Sequence, residues 1–267
     1  MVDLVIFCRD RAAQLELLLR SIYCYADDIF NINVVWTYSE PSFGAGFKIL
    51  LDEFPEINFI HKTNPKDETK LLFEKFKAEW LCLSTDDMVF YRPIPLPNKD
   101  LASILPKYND EVFSFRYGYN TIDQDIHRGT KQPPLNLHSV KDGILRWNPH
   151  MYSPTDNYGY ALAVDLHVFR SSFILPLLKK AKFYRPNELE GYLQNFRGEI
   201  SYMSSFEQSV AVNIPCNNLS TLTSVNSNIY SLEYLNQQFL AGKRLDLDFI
   251  SHQRITGAHA NIPLKLC

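Results

Sequence analysis

Two hydrophobic periodicities alternate along the first hundred residues. Short apolar runs predict buried strands, and apolar residues at helical spacing, such as Leu15, Leu18 and Ile22, predict amphipathic helices between them. The predicted strands are 2–7, 32–37, 57–61 and 80–83, and the predicted helices are 12–25, 47–54 and 66–78. Strands that alternate with helices pair in parallel through right-handed crossovers. We therefore expect a Rossmann-like α/β fold, with a mixed sheet that is flanked by helices and mainly parallel in its N-terminal half.

The pattern weakens after residue 92, where closely spaced prolines interrupt regular structure. Beyond them we predict strands at 112–117, 160–168 and 209–214, and helices at 101–108, 169–182 and 188–195. Residues 120–157 are polar and contain several prolines, which predicts a long irregular segment. Such segments in compact domains often bind a substrate or cover a site.

The most informative polar positions are two adjacent carboxylates, Asp86 and Asp87. They follow the predicted strand 80–83 closely, and an apolar run resumes after them. In an open α/β sheet, ligands bind beyond the carboxyl ends of the strands, so the pair should lie at the ligand-binding edge. Two neighbouring carboxylates repel unless a cation or a proton lies between them, and Mg²⁺ and Mn²⁺ suit oxygen ligands. A polar turn or a helix N-cap would explain the same residues.

The turn after the first strand brings further charges to the same edge. Residues 8–13 contain no glycine, so the G-x-G-x-x-G signature of a dinucleotide site is missing. Arg9 and Arg11 could neutralise phosphate there, and Asp10 could accept a hydrogen bond from a ribose or a base. The alternative is an N-capping aspartate beside two solvated arginines.

Further candidates lie in the second half of the chain. Glu188 and Glu190 occupy the first turn of a predicted helix, where they either stabilise the helix dipole or act as a general base. We favour Glu190 as the base, because a more recessed carboxylate reaches a neutral pKa more easily. His259 precedes an apolar tail segment and could complete a metal site begun by a carboxylate, with His252 as its competitor.

Composition narrows the function class and the compartment. Hydrophobic residues make up 46% of the 267, and the net charge of −3 gives no basic excess that would favour nucleic acid. No window approaches the run of about 18 apolar residues that spans a membrane, and the first apolar run is too short for a signal peptide. Five cysteines without a C-x-x-C pair or zinc spacing favour a reducing cytoplasm.

Five segments, in order, resemble the nucleotide-diphospho-sugar transferases of the GT-A fold, close to the family 2-like glycosyltransferases. They are residues 5–15 (VIFCRDRAAQL), 83–90 (LSTDDMVF), 158–165 (YGYALAVD), 186–190 (PNELE) and 258–264 (AHANIPL). The second segment is similar to the acidic D-x-D motif of these enzymes, with Thr85 at its first position. The resemblance implies a single GT-A domain over 1–267, with a nucleotide-binding half at 1–92 and an acceptor-binding half with the C-terminal tail at 93–267.

The resemblance also implies a function and residue roles. The protein would move a sugar from a nucleotide-diphosphate sugar to an acceptor hydroxyl, with Mn²⁺ or Mg²⁺ as cofactor. Inversion of the anomeric configuration is the expected outcome, and retention is the alternative. Asp87 and His259 would bind the cation, and Glu190, or else Glu188, would be the catalytic base. The expected donor contacts are Arg9, Asp10, Arg11, Tyr38 and Asp86. The acceptor would be a glycan, a lipid-linked sugar or a small molecule.

Two other functions fit the same fold. A sugar-nucleotide-forming nucleotidyltransferase usually carries a glycine-rich loop after its first strand, and residues 8–13 lack one. A non-catalytic nucleotide- or carbohydrate-binding protein is favoured by Thr85 at a motif position. Metal-dependent hydrolysis of a sugar nucleotide would separate the enzyme from the binding protein.

Overall fold

Four parallel strands form the N-terminal half of the main sheet in the computed structural model, which describes residues 1–26, 28–62, 73–125, 130–216 and 230–267. They are β1 (Val2–Arg9), β2 (Phe30–Thr37), β3 (Asn58–His61) and β4 (Trp80–Thr85). β1 lies between β2 and β4, β3 pairs with β2, and all three pairings are parallel. This confirms the parallel N-terminal half that the alternation of strands and helices predicts.

Two helices connect these strands and cover the sheet. α1 (Ala12–Tyr25) has the predicted bounds, and its apolar stripe, including Leu15, Leu18 and Ile22, is buried. α2 (Pro41–Glu53) begins six residues earlier than predicted, with a proline in its first turn, where the missing N–H costs no helical hydrogen bond. Most of the predicted helix 66–78 lies outside the described residues. In the part that is described, residues 73–75 are helical.

The second half of the chain makes the sheet mixed. Its strands are β5 (Met88–Phe90), β6 (Glu111–Ser114), β7 (Asp123–Asp125), β8 (Thr130–Lys131), β9 (Leu137–Lys141), β10 (Ile144–Trp147), β11 (His167–Arg170), β12 (Tyr202–Phe206) and β13 (Ala211–Asn213). Within the described residues the main sheet has the order β3-β2-β1-β4-β11-β6-β12-β10-β9. β11 is antiparallel to both β4 and β6, while β12 is parallel to β6. β13 and β5 form a separate antiparallel pair.

The prediction of an irregular segment over 120–157 was wrong, because this part of the chain contains β7 to β10. β9 and β10 form an antiparallel hairpin joined by Asp142 and Gly143, whose φ angles are 52° and 76°. Two positive φ values in a two-residue hairpin loop favour Asp-Gly, which is a strong hairpin signal in a sequence. Most of β9 is exposed, so its hydrophobic pattern is weak and the turn is the better signal.

The helices of the second half are α3 (Asn98–Leu101), α4 (Ser171–Lys180), α5 (Pro186–Gln194), α6 (Leu232–Leu240) and α7 (Leu247–Ser251). α4 and α5 lie within two residues of their predicted bounds. The predicted helix 101–108 was wrong, since α3 ends at Leu101 and Pro106 follows. The predicted strand 160–168 was wrong except at its end, because Leu166 has a φ of 55° and β11 begins only after it. None of the helices in the described ranges is long and apolar enough to cross a bilayer.

A close backbone approach at Gly159 gives a stability prediction. A Cβ atom at this position would lie 2.2 Å from the Ser153 carbonyl oxygen. Gly159→Ala should therefore lower the free energy of unfolding by about 1–3 kcal/mol, measured by urea denaturation. Gly191→Ala in α5 is the control, because its Cβ would meet nothing within 4 Å and alanine is favoured over glycine in helices. Equal stability of the two variants would contradict this packing.

Candidate active site

Two neighbouring parallel strands bring the first candidate residues to one edge of the sheet. β1 and β4 pair in parallel. Asp10 and Arg11 follow β1, and Asp86 and Asp87 follow β4, so all four emerge where the carboxyl ends of the parallel strands meet. The acidic pair therefore lies at the end of a buried strand, as its position in the sequence predicts.

Arg11 forms ion pairs with both carboxylates of the acidic pair. Its Nη1 donates to Asp86 Oδ1 at 3.0 Å and to Asp87 Oδ2 at 3.3 Å, and the residue is buried. Burial raises the pKa of Asp86 to about 6; the charge of Arg11 limits that rise, and the charge of Asp87 adds to it. One positive charge is thus fixed beside the residue that we predict to bind the cation.

Asp87 is also held by a hydroxyl and an amide. Its Oδ1 accepts hydrogen bonds from Thr85 Oγ1 at 2.7 Å and from Asn213 Nδ2 at 2.9 Å. Asn213 ends β13 and forms a parallel bridge with His259, fixed by two backbone hydrogen bonds of 3.0 and 2.9 Å. The fold therefore brings the tail segment that carries His259 beside the strand end that holds Asp87.

A third aspartate and a second buried arginine extend the network. Asp165 immediately precedes Leu166 and β11, and its Oδ1 lies 3.0 Å from Thr85 Oγ1. Arg116 follows β6, and its Nη1 lies 3.0 Å from Asp165 Oδ2. Burial alone would raise the pKa of Asp165, but the charges of Arg116 and His259 outweigh burial and lower it. Asp165 therefore stays ionised at neutral pH.

Glu190 lies at the far end of the same network. Its Oε1 accepts a hydrogen bond from the Val164 N–H at 3.1 Å, and the Tyr160 hydroxyl lies within hydrogen-bonding reach. Burial, together with the charge of Asp165, raises the pKa of Glu190 to about 7. A carboxylate that titrates near neutrality is suited to general base catalysis.

The two alternative candidates have local contacts. Glu188 is exposed, and it accepts a hydrogen bond from the Tyr184 N–H at 2.8 Å at the start of α5. His252 is exposed at the end of α7, with its Nδ1 2.8 Å from the Asp248 carbonyl oxygen. Both contacts stabilise helix ends, which agrees with the structural explanation of these residues.

Asp10 lies at the ends of β1 and β2, away from Asp165 and Glu190. Asp10, with a φ of 61°, accepts a hydrogen bond from the Ser39 N–H at 2.6 Å and pairs with Arg9 Nε at 3.3 Å. Asp10 therefore ties the ends of β1 and β2 together and does not cap α1.

Tyr38, which follows β2, is partly exposed and stacks on His61, with 5.3 Å between ring centroids and 9° between planes. Its position suits stacking against a planar ligand.

Sequence reasoning did not select several residues of this network. The residues that it missed are Thr85 as a bridging group, Arg116, Tyr160, Asp165 and Asn213. Asn213 carried a usable signal, because it is a polar residue inside the apolar run 209–214. Asp165 precedes β11 and Arg116 follows β6, so their proximity depends on the antiparallel insertion of β11 between β4 and β6.

Comparison with known proteins identifies the fold that carries this network. No protein-family model matches the chain. Over 104 residues, 36% of this chain and 14% of the relative, the sequence is 32% identical to the bifunctional glycosyltransferase pgtA of Dictyostelium discoideum. GalNAc-T7, solved with UDP, GalNAc and Mn²⁺, aligns with a TM-score of 0.50 over 88% of this chain and 47% of that one, at 11% identity. The chain has the GT-A glycosyltransferase fold.

A further solved structure aligns less well, and both relatives named above are longer than this chain. S. aureus TarS aligns with a TM-score of 0.47 over 79% of this chain and 36% of that chain, at 14% identity. The chain thus spans about a seventh of pgtA and about half of the GalNAc-T7 chain. The predicted resemblance to nucleotide-sugar transferases of the GT-A fold is confirmed. In this GT-A fold, the network occupies the edge at the carboxyl ends of the parallel strands.

Proposed function

We propose that the protein transfers a sugar from a nucleotide-diphosphate sugar to an acceptor hydroxyl. The observation that carries this proposal is one line of polar contacts from Arg11 through Asp87 and Thr85 to Asp165, whose charge raises the pKa of the nearby Glu190. We call these five residues, together with Asp86 and Arg116, the edge network. It joins a cationic group suited to a diphosphate to a carboxylate suited to remove a proton. The segment shared with pgtA supports a glycosyltransferase over other uses of the fold.

The donor would lie at the β1 end of the edge network. Tyr38 would stack against the base, and Asp10 would accept a hydrogen bond from the base or the ribose. Arg9 is partly exposed and Arg11 is buried, so the first can reach a phosphate directly and the second acts through its fixed charge. Asp86 would accept a hydrogen bond from the ribose or the sugar.

A divalent cation, Mn²⁺ or Mg²⁺, fits the charge of the edge network. Among the described residues, four carboxylates (Asp86, Asp87, Asp165 and Glu190) surround two guanidinium groups (Arg11 and Arg116), which leaves a negative excess when all are ionised. In the same part of the chain, no group of three or more His, Cys, Asp and Glu side chains is arranged to hold a metal alone. These ions are often held by one or two carboxylates and completed by substrate phosphates and water.

Asp87 and His259 are the proposed protein ligands of that cation. When bound, the cation would stabilise the negative charge that develops on the leaving diphosphate. Thr85 and Asn213 hold the Asp87 carboxylate in one orientation, and the pairing of Asn213 with the tail positions His259. Binding through a preorganised carboxylate loses less conformational entropy than binding through a mobile one.

Glu190 would act as the base at the acceptor side. Its carboxylate would accept the proton of the acceptor hydroxyl, whose oxygen then attacks the anomeric carbon as the diphosphate leaves. Attack from the face opposite the diphosphate inverts the anomeric configuration. The acceptor would be a glycan, a lipid-linked sugar or a small molecule, bound near 120–157. The cytoplasmic location stays a prediction.

A thermal-shift screen tests donor binding. The probes are UDP, GDP and CDP with and without MnCl₂. A ligand at about a hundred times its Kd stabilises the folded state by about 2.7 kcal/mol, so the matching diphosphate should raise the melting temperature by roughly 5–10 °C. The shift should be larger with Mn²⁺. If none of the three shifts the melting temperature with or without the cation, the proposed function is wrong.

Two other functions remain competitors that product analysis can separate. Thr85, at the first position of the D-x-D-like motif, favours a binding protein without catalysis. Such a protein would show the thermal shift but would not turn over a sugar nucleotide. A sugar nucleotidyltransferase would instead join a sugar phosphate to a nucleoside triphosphate with release of pyrophosphate. In the reverse direction, with added pyrophosphate, it would convert the sugar nucleotide into a nucleoside triphosphate and a sugar phosphate.

A further inference from the structure

The departure from the D-x-D pattern at Thr85 has a counterpart next to the neighbouring strand. β11 pairs antiparallel with β4, with His167 opposite Leu83. The chain leaves this ladder at Leu166, whose φ is 55°, and the residue before it, Asp165, has its Oδ1 3.0 Å from Thr85 Oγ1. A carboxylate from the segment that enters β11 therefore lies beside the position where the motif has none.

We propose that Asp165 supplies the carboxylate that position 85 lacks and, together with Asp87, binds the cation–diphosphate group of the donor. Asp165 is thus a binding residue that comes from a distant part of the chain. The inference rests on the proposed function, because it assigns one more residue to the same donor site.

The shared hydroxyl of Thr85 places the two carboxylates against one point. Thr85 Oγ1 lies 2.7 Å from Asp87 Oδ1 and 3.0 Å from Asp165 Oδ1. A hydroxyl has one proton, so it can donate to only one of the two oxygens at a time. The other carboxylate oxygen then faces a lone pair, and two like charges remain close together. A cation between these oxygens removes that repulsion.

Exposure separates the carboxylates from the arginines. The side chains of Asp87 and Asp165 are 15% and 14% exposed, whereas those of Arg11 and Arg116 are 8% and 2% exposed. The two carboxylates therefore reach the surface of the edge to a similar degree, and the guanidinium groups lie beneath them. A ligand that approaches this edge meets the carboxylates first.

The contact between Asp165 and Arg116 is not that of a saturated structural ion pair. Arg116 Nη1 lies 3.0 Å from Asp165 Oδ2 without hydrogen-bond geometry, and the buried Nη1 and Nε of Arg116 have no hydrogen-bond partner among the described residues. Arginine–carboxylate pairs are frequently bidentate, with two parallel hydrogen bonds. Here one oxygen of Asp165 faces Arg116 and the other turns to Thr85, towards Asp87. The Asp165 carboxylate is therefore divided between Arg116 and the donor end of the edge network.

Exchange of these two residues, Thr85 and Asp165, tests the assignment. Calorimetry would measure the affinities of UDP and GDP, with and without MnCl₂, for the wild type, Asp165→Asn, and the exchange variant Thr85→Asp/Asp165→Thr. Asp165→Asn should lower the Mn²⁺-dependent affinity roughly tenfold or more and leave the affinity without Mn²⁺ unchanged. The exchange variant keeps one hydroxyl and one carboxylate at the two positions. It should recover most of the Mn²⁺-dependent affinity that Asp165→Asn loses.

Thermal melting of each variant, at matched pH, shows whether it folds. If Asp165 only holds Arg116, Asp165→Asn will lower the melting temperature with no selective loss of Mn²⁺-dependent affinity, which would overturn the inference. A folded exchange variant that stays as weak as Asp165→Asn would overturn it too. If the wild type binds neither nucleotide in either condition, the proposed function fails along with the inference. Binding that strengthens with Mn²⁺ in the wild type and equally in Asp165→Asn refutes the inference alone.

Discussion

Glu190→Gln should lower kcat by roughly a hundredfold or more and leave the affinity for the nucleotide donor nearly unchanged. Glutamine can accept the Val164 N–H hydrogen bond that Glu190 accepts at 3.1 Å, so the local structure should persist. What is lost is the group that takes the acceptor proton. Steady-state kinetics at saturating donor measure the effect on kcat, and calorimetry measures donor binding.

Glu188→Gln is the matched control, because Glu188 lies two residues earlier on the same helix and is exposed. It should keep near-normal turnover. A dead Glu188→Gln beside an active Glu190→Gln would transfer the role to Glu188. Two active variants would reduce the acidic start of α5 to a helix-stabilising feature.

The pH dependence of kcat should also report the ionisation of Glu190. A base must be ionised, and the pKa of Glu190 is raised from 4.5 to about 7, so kcat should rise with pH and level off above about 7. The residual rate of Glu190→Gln should lack this inflection. A rate profile that stays flat between pH 5 and 8 in the wild type would contradict the assignment.

The same shift in pKa has the opposite sign for stability. The folded state binds the Glu190 proton more tightly than the unfolded state does, so ionisation between about pH 4.5 and 7 lowers the free energy of unfolding. Glu190→Gln should therefore be more stable than the wild type at pH 8, by about 1–2 kcal/mol after allowance for partial exposure. Below pH 4.5 this advantage should disappear, as urea denaturation at the two pH values would show.

Loss of the cation is the second large effect. Asp87→Ala should weaken the Mn²⁺-dependent binding of a nucleoside diphosphate by roughly 10–100-fold, because it removes the proposed carboxylate ligand. Asp87→Asn keeps a hydrogen-bond-accepting oxygen and the shape of the side chain but removes its negative charge. It should lose the same Mn²⁺-dependent binding. It can still accept hydrogen bonds from Thr85 and Asn213, so its fold is better protected.

Asp248→Ala is the control for this series, because Asp248 is an exposed acid on α7 and lies outside the edge network. Its binding should equal that of the wild type. Calorimetry with MnCl₂ present and absent separates the cation effect from direct nucleotide contacts. Unchanged Mn²⁺-dependent affinity in both Asp87 variants would exclude Asp87 as the ligand.

The hydrophobic pattern predicted the helices and strands of the N-terminal half of the fold, because each of them buries one face that can be seen within a short window of sequence. α1 has the bounds that its leucine spacing predicts, and strand pairing across α1 and α2 follows from the handedness of short crossovers. Asp86 and Asp87 could be placed at the sheet edge because ligands bind beyond the carboxyl ends of parallel strands, whichever strands are neighbours.

The rest of the site depends on contacts that local pattern does not contain. The contact between Asp165 and Thr85 joins residues 80 positions apart, and it depends on the antiparallel entry of β11 into the sheet. The pairing of Asn213 with His259 likewise joins two segments that are weakly patterned alone. Glu190 was chosen as the more recessed acid, and the structure agrees, whereas its neighbours Val164 and Tyr160 come from a stretch wrongly predicted as strand.

Product analysis of sugar-nucleotide turnover tests the central claim most directly. The wild type would be incubated with UDP- and GDP-sugars, with and without MnCl₂, and the nucleotide products separated by anion-exchange chromatography. With water as the acceptor of the sugar, the proposed function predicts that at least one donor releases a nucleoside diphosphate, faster with the cation than without it. Glu190→Gln and Asp87→Asn should each suppress that release. Release of a nucleoside triphosphate and a sugar phosphate when pyrophosphate is added, or tight donor binding with no release from any donor, would contradict glycosyl transfer.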